Sequence, residues 1–155
     1  MLHYHPIPTE QARAYQADEG DAYGHRPERS TSDGSGNPCR HCLSYIPKGA
    51  DMLVFAHRPF GHTQPYAETG PVFLCATRCS APDNPAIRPE IMKNTADLLL
   101  RGYDSDDRIV YGTGEVVACA DVELRAERIL DHPKVAYVHV RSAANNCYRL
   151  KIDRP

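Results

Sequence analysis

Four of the six cysteines in this chain lie in two close pairs, a pattern typical of metal ligands. Two residues separate Cys39 from Cys42, three separate Cys75 from Cys79, and residues 43–74 connect the pairs. Such spacings let a tight turn aim both sulfurs of a pair at one ion, and zinc is the ion that four cysteines typically bind. The spacing predicts a zinc site with these four cysteines as its ligands.

Two other interpretations of the cysteines stay open. The simplest is four unrelated thiols, some of them buried. The other is a redox-active or metal-responsive dithiol at Cys39 and Cys42, whose thiolate pKa Arg40 or His41 could lower. However, residues 34–38 are unlike the apolar strand that precedes an oxidoreductase dithiol. A site with four sulfur ligands has no open position for substrate, so it would stabilise the fold rather than catalyse.

Length and charge restrict the class of protein. The 155 residues suffice for one domain with its own core, and we expect a single domain over residues 1–155. Lys and Arg number 18 and Asp and Glu 20, a net charge of −2 that provides no overall attraction to nucleic acid or to an acidic membrane. No apolar stretch approaches the roughly 20 residues of a membrane span, and the first residues do not resemble a signal peptide. We therefore expect a cytoplasmic protein, in which thiols and metal ligands are more common than disulfides.

Hydrophobic periodicity predicts an α+β fold with a mainly antiparallel sheet built from hairpins. Two helices are expected, over about residues 9–18, where Thr9 could be the N-cap, and over 120–131, where apolar residues recur at spacings of three and four. Residues 16–38 are poor in branched apolar side chains and rich in Gly, Ser and charged residues. This segment is predicted to be an irregular arm or a long loop.

Alternating apolar runs separated by turn residues predict three hairpins. They join residues 51–58 with 71–75, residues 98–103 with 109–111, and residues 135–141 with 147–153. An antiparallel first hairpin would bring Cys75 back towards Cys42. The hairpin and the zinc site are therefore mutually consistent expectations.

Polarity also predicts a register for the last hairpin. A three-residue loop would pair Val138 with Leu150 and Val140 with Tyr148, which collects apolar side chains on one face. The opposite face would then be a cationic stripe that includes His139.

Arginines and polar aromatic residues of the predicted sheet form a candidate binding site. Guanidinium groups suit carboxylates and phosphates, so the expected ligand is a small anion or an acidic group. The candidate ligand-binding residues are Arg40, Arg58, Tyr66, Arg101, His139 and Arg141. A solvated outer face of an edge hairpin is the more common explanation of such residues. A third possibility is an enzyme in which His62 or His139 performs acid–base chemistry with nearby arginines.

Short motifs are distributed along most of the chain from Pro38 onwards. They are Pro38-Cys39-Arg40, Pro65-Tyr66, Gly70-Pro71-Val72-Phe73, Leu100-Arg101-Gly102-Tyr103-Asp104, Val138-His139-Val140, Asn146-Cys147-Tyr148 and Asp153-Arg154. In this order they resemble a bacterial family known as domain of unknown function 1203. The resemblance implies a single α+β domain without an established activity. It also implies that the four-cysteine site belongs to a subgroup of the family.

These observations together predict a zinc-stabilised domain that binds a small anion or an acidic group, with no assigned reaction. Neither a nucleic acid nor a membrane is expected as a partner. The oligomeric state is left open by the sequence.

Overall fold

A computed structural model describes residues 1–155 as two antiparallel sheets and two helices. The strands are β1 (His3–His5), β2 (Glu28–Thr31), β3 (Asp51–His57), β4 (Gly70–Cys75), β5 (Asp97–Tyr103), β6 (Glu115–Ala118), β7 (Tyr137–Ser142) and β8 (Tyr148–Asp153). The helices are α1 (Thr9–Gln16) and α2 (Val122–Leu130), and single 3-10 turns occur at Glu90–Met92 and Cys119–Asp121. The predicted α+β class with mainly antiparallel pairing is confirmed. Neither helix has the length and apolar character that crossing a membrane requires.

The large sheet has the strand order β1-β8-β7-β5-β6, and α2 covers one of its faces. Val138 and Val140 on β7 alternate with polar residues and point to the same side as Leu150 and Ile152 on β8. These side chains and the apolar stripe of α2 belong to a core of 17 buried residues. The face opposite α2, called the open face below, therefore carries the polar residues of the same strands.

The small sheet has the order β2-β3-β4 and forms a second core with α1. Ala12 and Tyr15 on α1 are buried against this sheet, and the ring of Tyr15 lies 4.1 Å from that of Phe55 on β3. The predicted first hairpin is confirmed, because β3 and β4 pair antiparallel with Met52 opposite Cys75. Each sheet therefore has its own core. Polar side chains of the open face lie along the boundary between the two sheets.

The predicted register of the last hairpin is wrong by two residues. Val138 pairs with Ile152, and an irregularity after Val140 then sets Arg141 opposite Tyr148. The connecting loop is longer than predicted, because Asn146 adopts a left-handed φ of 58° and extends the turn. A two-residue shift leaves the apolar face unchanged, since side chains alternate with a period of two. The bulge, however, moves Tyr148 onto the open face.

The predicted second hairpin is also wrong in its partner strand. β5 pairs with β6 on one side and with β7 on the other, whereas Ile109 makes only an isolated bridge to Tyr103. The physical reason is that the side chain of Thr113, rather than a neighbouring strand, accepts a backbone hydrogen bond from β5. The hydroxyl of Thr113 accepts the backbone N–H of Gly102 at 2.9 Å, so the chain leaves the sheet before it returns as β6.

The helices and the arm differ from expectation in their details. α1 begins at Thr9 as predicted, but Pro8 occupies the N-cap position, and the Thr9 hydroxyl instead contacts His41. α2 is shorter than predicted because residues 119–121 form a 3-10 turn before it. Within the segment 16–38, Glu28–Thr31 pair with β3 as an edge strand, so this segment is not irregular throughout.

Gly102 provides a test of the packing between β5 and α2. A Cβ atom at Gly102 would lie 2.9 Å from Ile129 Cγ2, 2.9 Å from Thr113 Oγ1 and 3.0 Å from Val135 Cγ2. We expect Gly102→Ala to lower the free energy of unfolding by about 1–3 kcal/mol through overpacking, measured by urea denaturation. Gly114→Ala is the matched control, because no atom lies within 4 Å of its added Cβ. Equal effects of the two substitutions would contradict this account of the packing.

Candidate functional site

The four paired cysteines converge at one end of the small sheet. The Sγ atoms of Cys39, Cys42, Cys75 and Cys79 all lie within 4.8 Å of one another. Cys39 Sγ is 3.9 Å from Cys79 Sγ, and Cys42 Sγ is 4.0 Å from Cys75 Sγ. Four sulfurs bound to one tetrahedral zinc lie about 3.8 Å apart, given a zinc–sulfur distance of about 2.3 Å. The predicted convergence is confirmed, and the cluster could hold a metal ion.

Polar groups on α1 and in the turn at residues 39–42 contact the cysteine cluster and orient it. His41 is fully buried, its Nδ1 lies 3.2 Å from Cys79 Sγ, and its Nε2 lies 3.0 Å from the Thr9 hydroxyl. The backbone N–H of Cys75 donates to Cys39 Sγ at 3.3 Å. A donor held against a cysteine sulfur stabilises the thiolate form of that sulfur.

The thiols of the cluster also alter one another's ionisation. Hydrogen bonds from Cys42 and Cys75 lower the pKa of Cys39 to about 6. Hydrogen bonds from Cys39, the other two thiols and His41 lower the pKa of Cys79 as well. The same contacts, those with Cys39 first, raise the pKa values of Cys42 and Cys75. Two sulfurs of the cluster therefore lose their protons readily, and metal binding, which requires four thiolates, would have to displace the protons of the other two.

The open face of the large sheet carries a row of basic side chains across four strands. His5 on β1 pairs with Lys151 on β8, Lys151 pairs with His139 on β7, and His139 pairs with Arg101 on β5. Residues paired across antiparallel strands lie on the same face of a sheet. The predicted cationic stripe around His139 therefore extends across most of the large sheet.

His139 lies in this row beneath a group of aromatic rings. The centroid of its imidazole is 4.6 Å from that of Tyr103, 5.1 Å from that of Phe60 and 4.9 Å from that of Tyr148. Burial, followed by the charges of Arg141 and other nearby cations, lowers the pKa of His139 well below its usual value. The imidazole is therefore neutral, and Arg141 Nη2 donates to its Nδ1 at 3.5 Å. In that tautomer the proton is on Nε2, which has no hydrogen-bond partner in the chain.

One carboxylate serves two arginines on the open face. Glu68, from the loop before β4, accepts from Arg101 Nη2 at 2.9 and 3.1 Å and lies 3.2 Å from Arg141 Nη1. Arg141 is 4% exposed, and its Nε has no hydrogen-bond partner. Two guanidinium groups and one carboxylate leave this cluster with an excess positive charge.

A cavity of about 580 Å³ lies between the open face, the start of α1 and the chain that follows β3. Its ionisable lining residues include His57, Arg58, Asp107, His139, Tyr148 and Lys151. Arg58 makes no ion pair or hydrogen bond, and its Nε is buried without a partner. A guanidinium without a counter-charge at the wall of a cavity favours binding of an anion there.

The other predicted ligand-binding residues lie outside this cavity. Arg40 is buried and donates to the backbone oxygens of Pro38 and Tyr148, both at 2.7 Å. Tyr66 lies under the guanidinium of Arg108, and its hydroxyl accepts from Tyr111 at 3.3 Å. Of the six predicted residues, the structure places Arg58 and His139 at the cavity and joins Arg101 to Arg141 through Glu68.

The two histidines considered for acid–base chemistry occupy different surroundings. His139 is buried at the cavity wall, whereas the side chain of His62 is 61% exposed and lies 3.9 Å from an Asp107 carboxylate oxygen. His57 and Tyr148 were not among the predicted site residues, yet both line the cavity, with ring centroids 5.7 Å apart. The position of His57 at the end of a predicted strand was a possible signal. For Tyr148 the signal was its place in the motif Asn146-Cys147-Tyr148. The bulge that decides which face Tyr148 occupies was not predicted.

Comparison with known proteins identifies a family but no characterised relative. The family model described as "Protein of unknown function (DUF1203)" matches residues 36–154. This match confirms the resemblance seen in the sequence motifs. It includes all four paired cysteines and begins after β1, α1 and β2. No curated protein and no solved structure matches the chain.

The buried imidazole of His57 makes stability depend on pH. Burial, followed by the charges of Arg40 and Arg58, lowers the pKa of His57 to about 4 in the folded protein, against about 6.5 when unfolded. The unfolded chain therefore binds an extra proton between these values, so the free energy of unfolding should fall as pH drops from 6.5 towards 4. Urea denaturation at pH 7 and pH 5 should show a smaller fall for His57→Phe than for the unmodified chain. The prediction would be contradicted if the free energies of unfolding of the two proteins differed by the same amount at pH 7 and at pH 5.

Proposed function

Because the chain belongs to the family described as protein of unknown function DUF1203, which names no activity, we propose a function from side-chain geometry. We propose that the protein is a zinc-stabilised domain that binds a small anion in the cavity on its open face. The observation that carries the proposal is Arg58, a cation at the cavity wall without an acidic partner.

The distances between sulfurs support zinc at the cysteine cluster. The separations of 3.9 and 4.0 Å join a sulfur of one pair to a sulfur of the other. They are close to the edge of a zinc–thiolate tetrahedron and well beyond a disulfide bond of about 2.05 Å. Four sulfur ligands leave no position for substrate, so this zinc would hold the turn at residues 39–42 to the end of β4. A redox role of Cys39 and Cys42 stays a prediction.

The donors at the cavity wall support an anionic ligand. The hydroxyl of Tyr148 and Nε2 of His139 have no hydrogen-bond partner in the chain, and both residues line the cavity with Arg58. Two other polar side chains of the cavity, Tyr137 and Lys151, are already paired. Tyr137 donates to Asp107 at 2.7 Å, and Lys151 lies 3.4 Å from the Asp153 carboxylate. One unpaired guanidinium with two neutral donors suits a carboxylate or a phosphate.

The tautomer of His139 favours binding over acid–base catalysis. A proton on Nε2 makes that nitrogen a donor, and the lowered pKa opposes its further protonation. The imidazole would therefore donate a hydrogen bond to an anion. An enzymatic role for His139 or His62 stays a prediction.

Zinc content tests the first part of the proposal. Protein purified without added zinc should contain about one zinc per chain by mass spectrometry of metals. Cys42→Ser should lose this zinc and lower the melting temperature, because a structural zinc contributes directly to folding. Cys119→Ser and Cys147→Ser, outside the cluster, should retain it. Zinc-free wild-type protein in which the four cluster thiols titrate freely, in addition to Cys119 and Cys147, would refute the zinc site.

Anion binding tests the second part. Isothermal titration with inorganic phosphate and with acetate should show one site on the wild-type protein. Arg58→Gln should weaken binding by about 10-fold or more, since a charge-assisted hydrogen bond contributes about 1.5–3 kcal/mol. Arg128→Gln, at an exposed arginine on α2, is the control and should bind normally. Unchanged binding by Arg58→Gln, or no binding by the wild type, would contradict the proposal.

A further inference from the structure

A second group of potential metal ligands lies at the edge of the large sheet. The ligand atoms of His3, His5 and Asp153 are all within 4.8 Å of one another. His3 and His5 lie two residues apart on β1 and so share one face of the sheet, and Asp153 on β8 pairs directly with His3. Residues from the two ends of the chain thus meet on the open face.

From this arrangement we propose that His3, His5 and Asp153 bind a divalent first-row transition metal ion beside the cavity. Imidazole nitrogens suit such ions, and two histidines with one carboxylate are the ligand set of several open catalytic zinc sites. Three protein ligands leave at least one coordination position for water or another ligand. This site would therefore differ in kind from the closed four-sulfur cluster.

Exposure and position agree with an open site. The His5 side chain is 37% exposed and that of Asp153 is 26% exposed, so a hydrated ion can reach both. His5 also lines the cavity that contains Arg58. An ion held by His5 would accordingly lie at the border of that cavity, where its free position is available to a ligand.

The present contacts of Asp153 already orient its carboxylate for binding an ion. Its Oδ1 is 2.6 Å from His5 Nε2, and its Oδ2 is 3.4 Å from Lys151 Nζ. In a tetrahedral site the ligating nitrogen and oxygen lie about 3.4 Å apart, so the ion would replace the hydrogen bond after a small rotation of two partly exposed side chains. Lys151 would keep its contact with Oδ2. Such an outer contact orients a ligating carboxylate.

Zinc titration of three matched variants tests the site. Isothermal titration of ZnCl₂ into protein that carries one zinc at the cysteines should reveal a second equivalent. His5→Ala and Asp153→Asn should each weaken this second equivalent by about 100-fold or more, since even outer contacts of metal sites account for 10–100-fold. His132→Ala removes an exposed histidine outside the group and should leave the second equivalent unchanged.

Two further measurements separate this site from the cysteine cluster. Circular dichroism and retention of the first zinc establish that each variant is folded, and Asp153→Asn preserves the shape of the side chain. Cobalt bound at the second site should lack the intense thiolate charge-transfer absorption expected of the cysteine cluster. The proposal is overturned if the wild type binds no second equivalent, or if that equivalent survives both His5→Ala and Asp153→Asn.

Discussion

The burial of the Arg40 guanidinium between the two sheets is the constraint on which the candidate sites depend. An unpartnered cation inside a protein costs several kcal/mol, so the groups that satisfy it must stay in place. Arg40 Nε donates to the backbone oxygen of Tyr148 on the large sheet. The backbone N–H of Arg40 donates to the backbone oxygen of Phe73 on the small sheet. Burial, followed by the charge of Arg149, lowers the pKa of Arg40 to about 10. Because Cys39 directly precedes Arg40, the same contacts hold the cysteine turn against the sheet that carries the cavity.

The open face of the large sheet is unusual because two of its polar side chains, His139 and Arg141, are buried. One face of an antiparallel sheet is commonly solvated, but here the ring of Phe60 lies 5.1 Å from that of His139 and the Glu68 carboxylate lies 3.2 Å from Arg141 Nη1. Covering basic groups strengthens their electrostatic effect, because fewer water molecules screen them. Glu68 neutralises part of this charge, and Arg58 remains unmatched. The excess is local, since the whole chain has a net charge of −2.

The two groups of metal ligands differed in how visible they were in the sequence. A cysteine pair at short spacing is a local signal, because one turn positions both sulfurs, and the four predicted cysteines do converge. The second group joins His5 to Asp153 across nearly the entire chain, and only the pairing of β1 with β8 brings them together. Site residues could likewise be predicted in part. Arginines were reasonable candidates by chemistry, but residue type alone could not distinguish Arg40, bound to backbone oxygens, from the unpaired Arg58.

Local physical chemistry in the sequence determined the two helices, the first hairpin, the apolar face of the last hairpin and the cysteine cluster. Each depends on periodicity or spacing within a short stretch of chain, which the order of residues specifies directly. The tertiary structure alone decided the partner of β5, the bulge that turns Tyr148 onto the open face and the cavity beside Arg58. These features depend on side chains that replace or interrupt strand pairing, such as Thr113 at Gly102, and on charges brought together from distant segments. The interactions that stabilise these features form only when the sheets have formed.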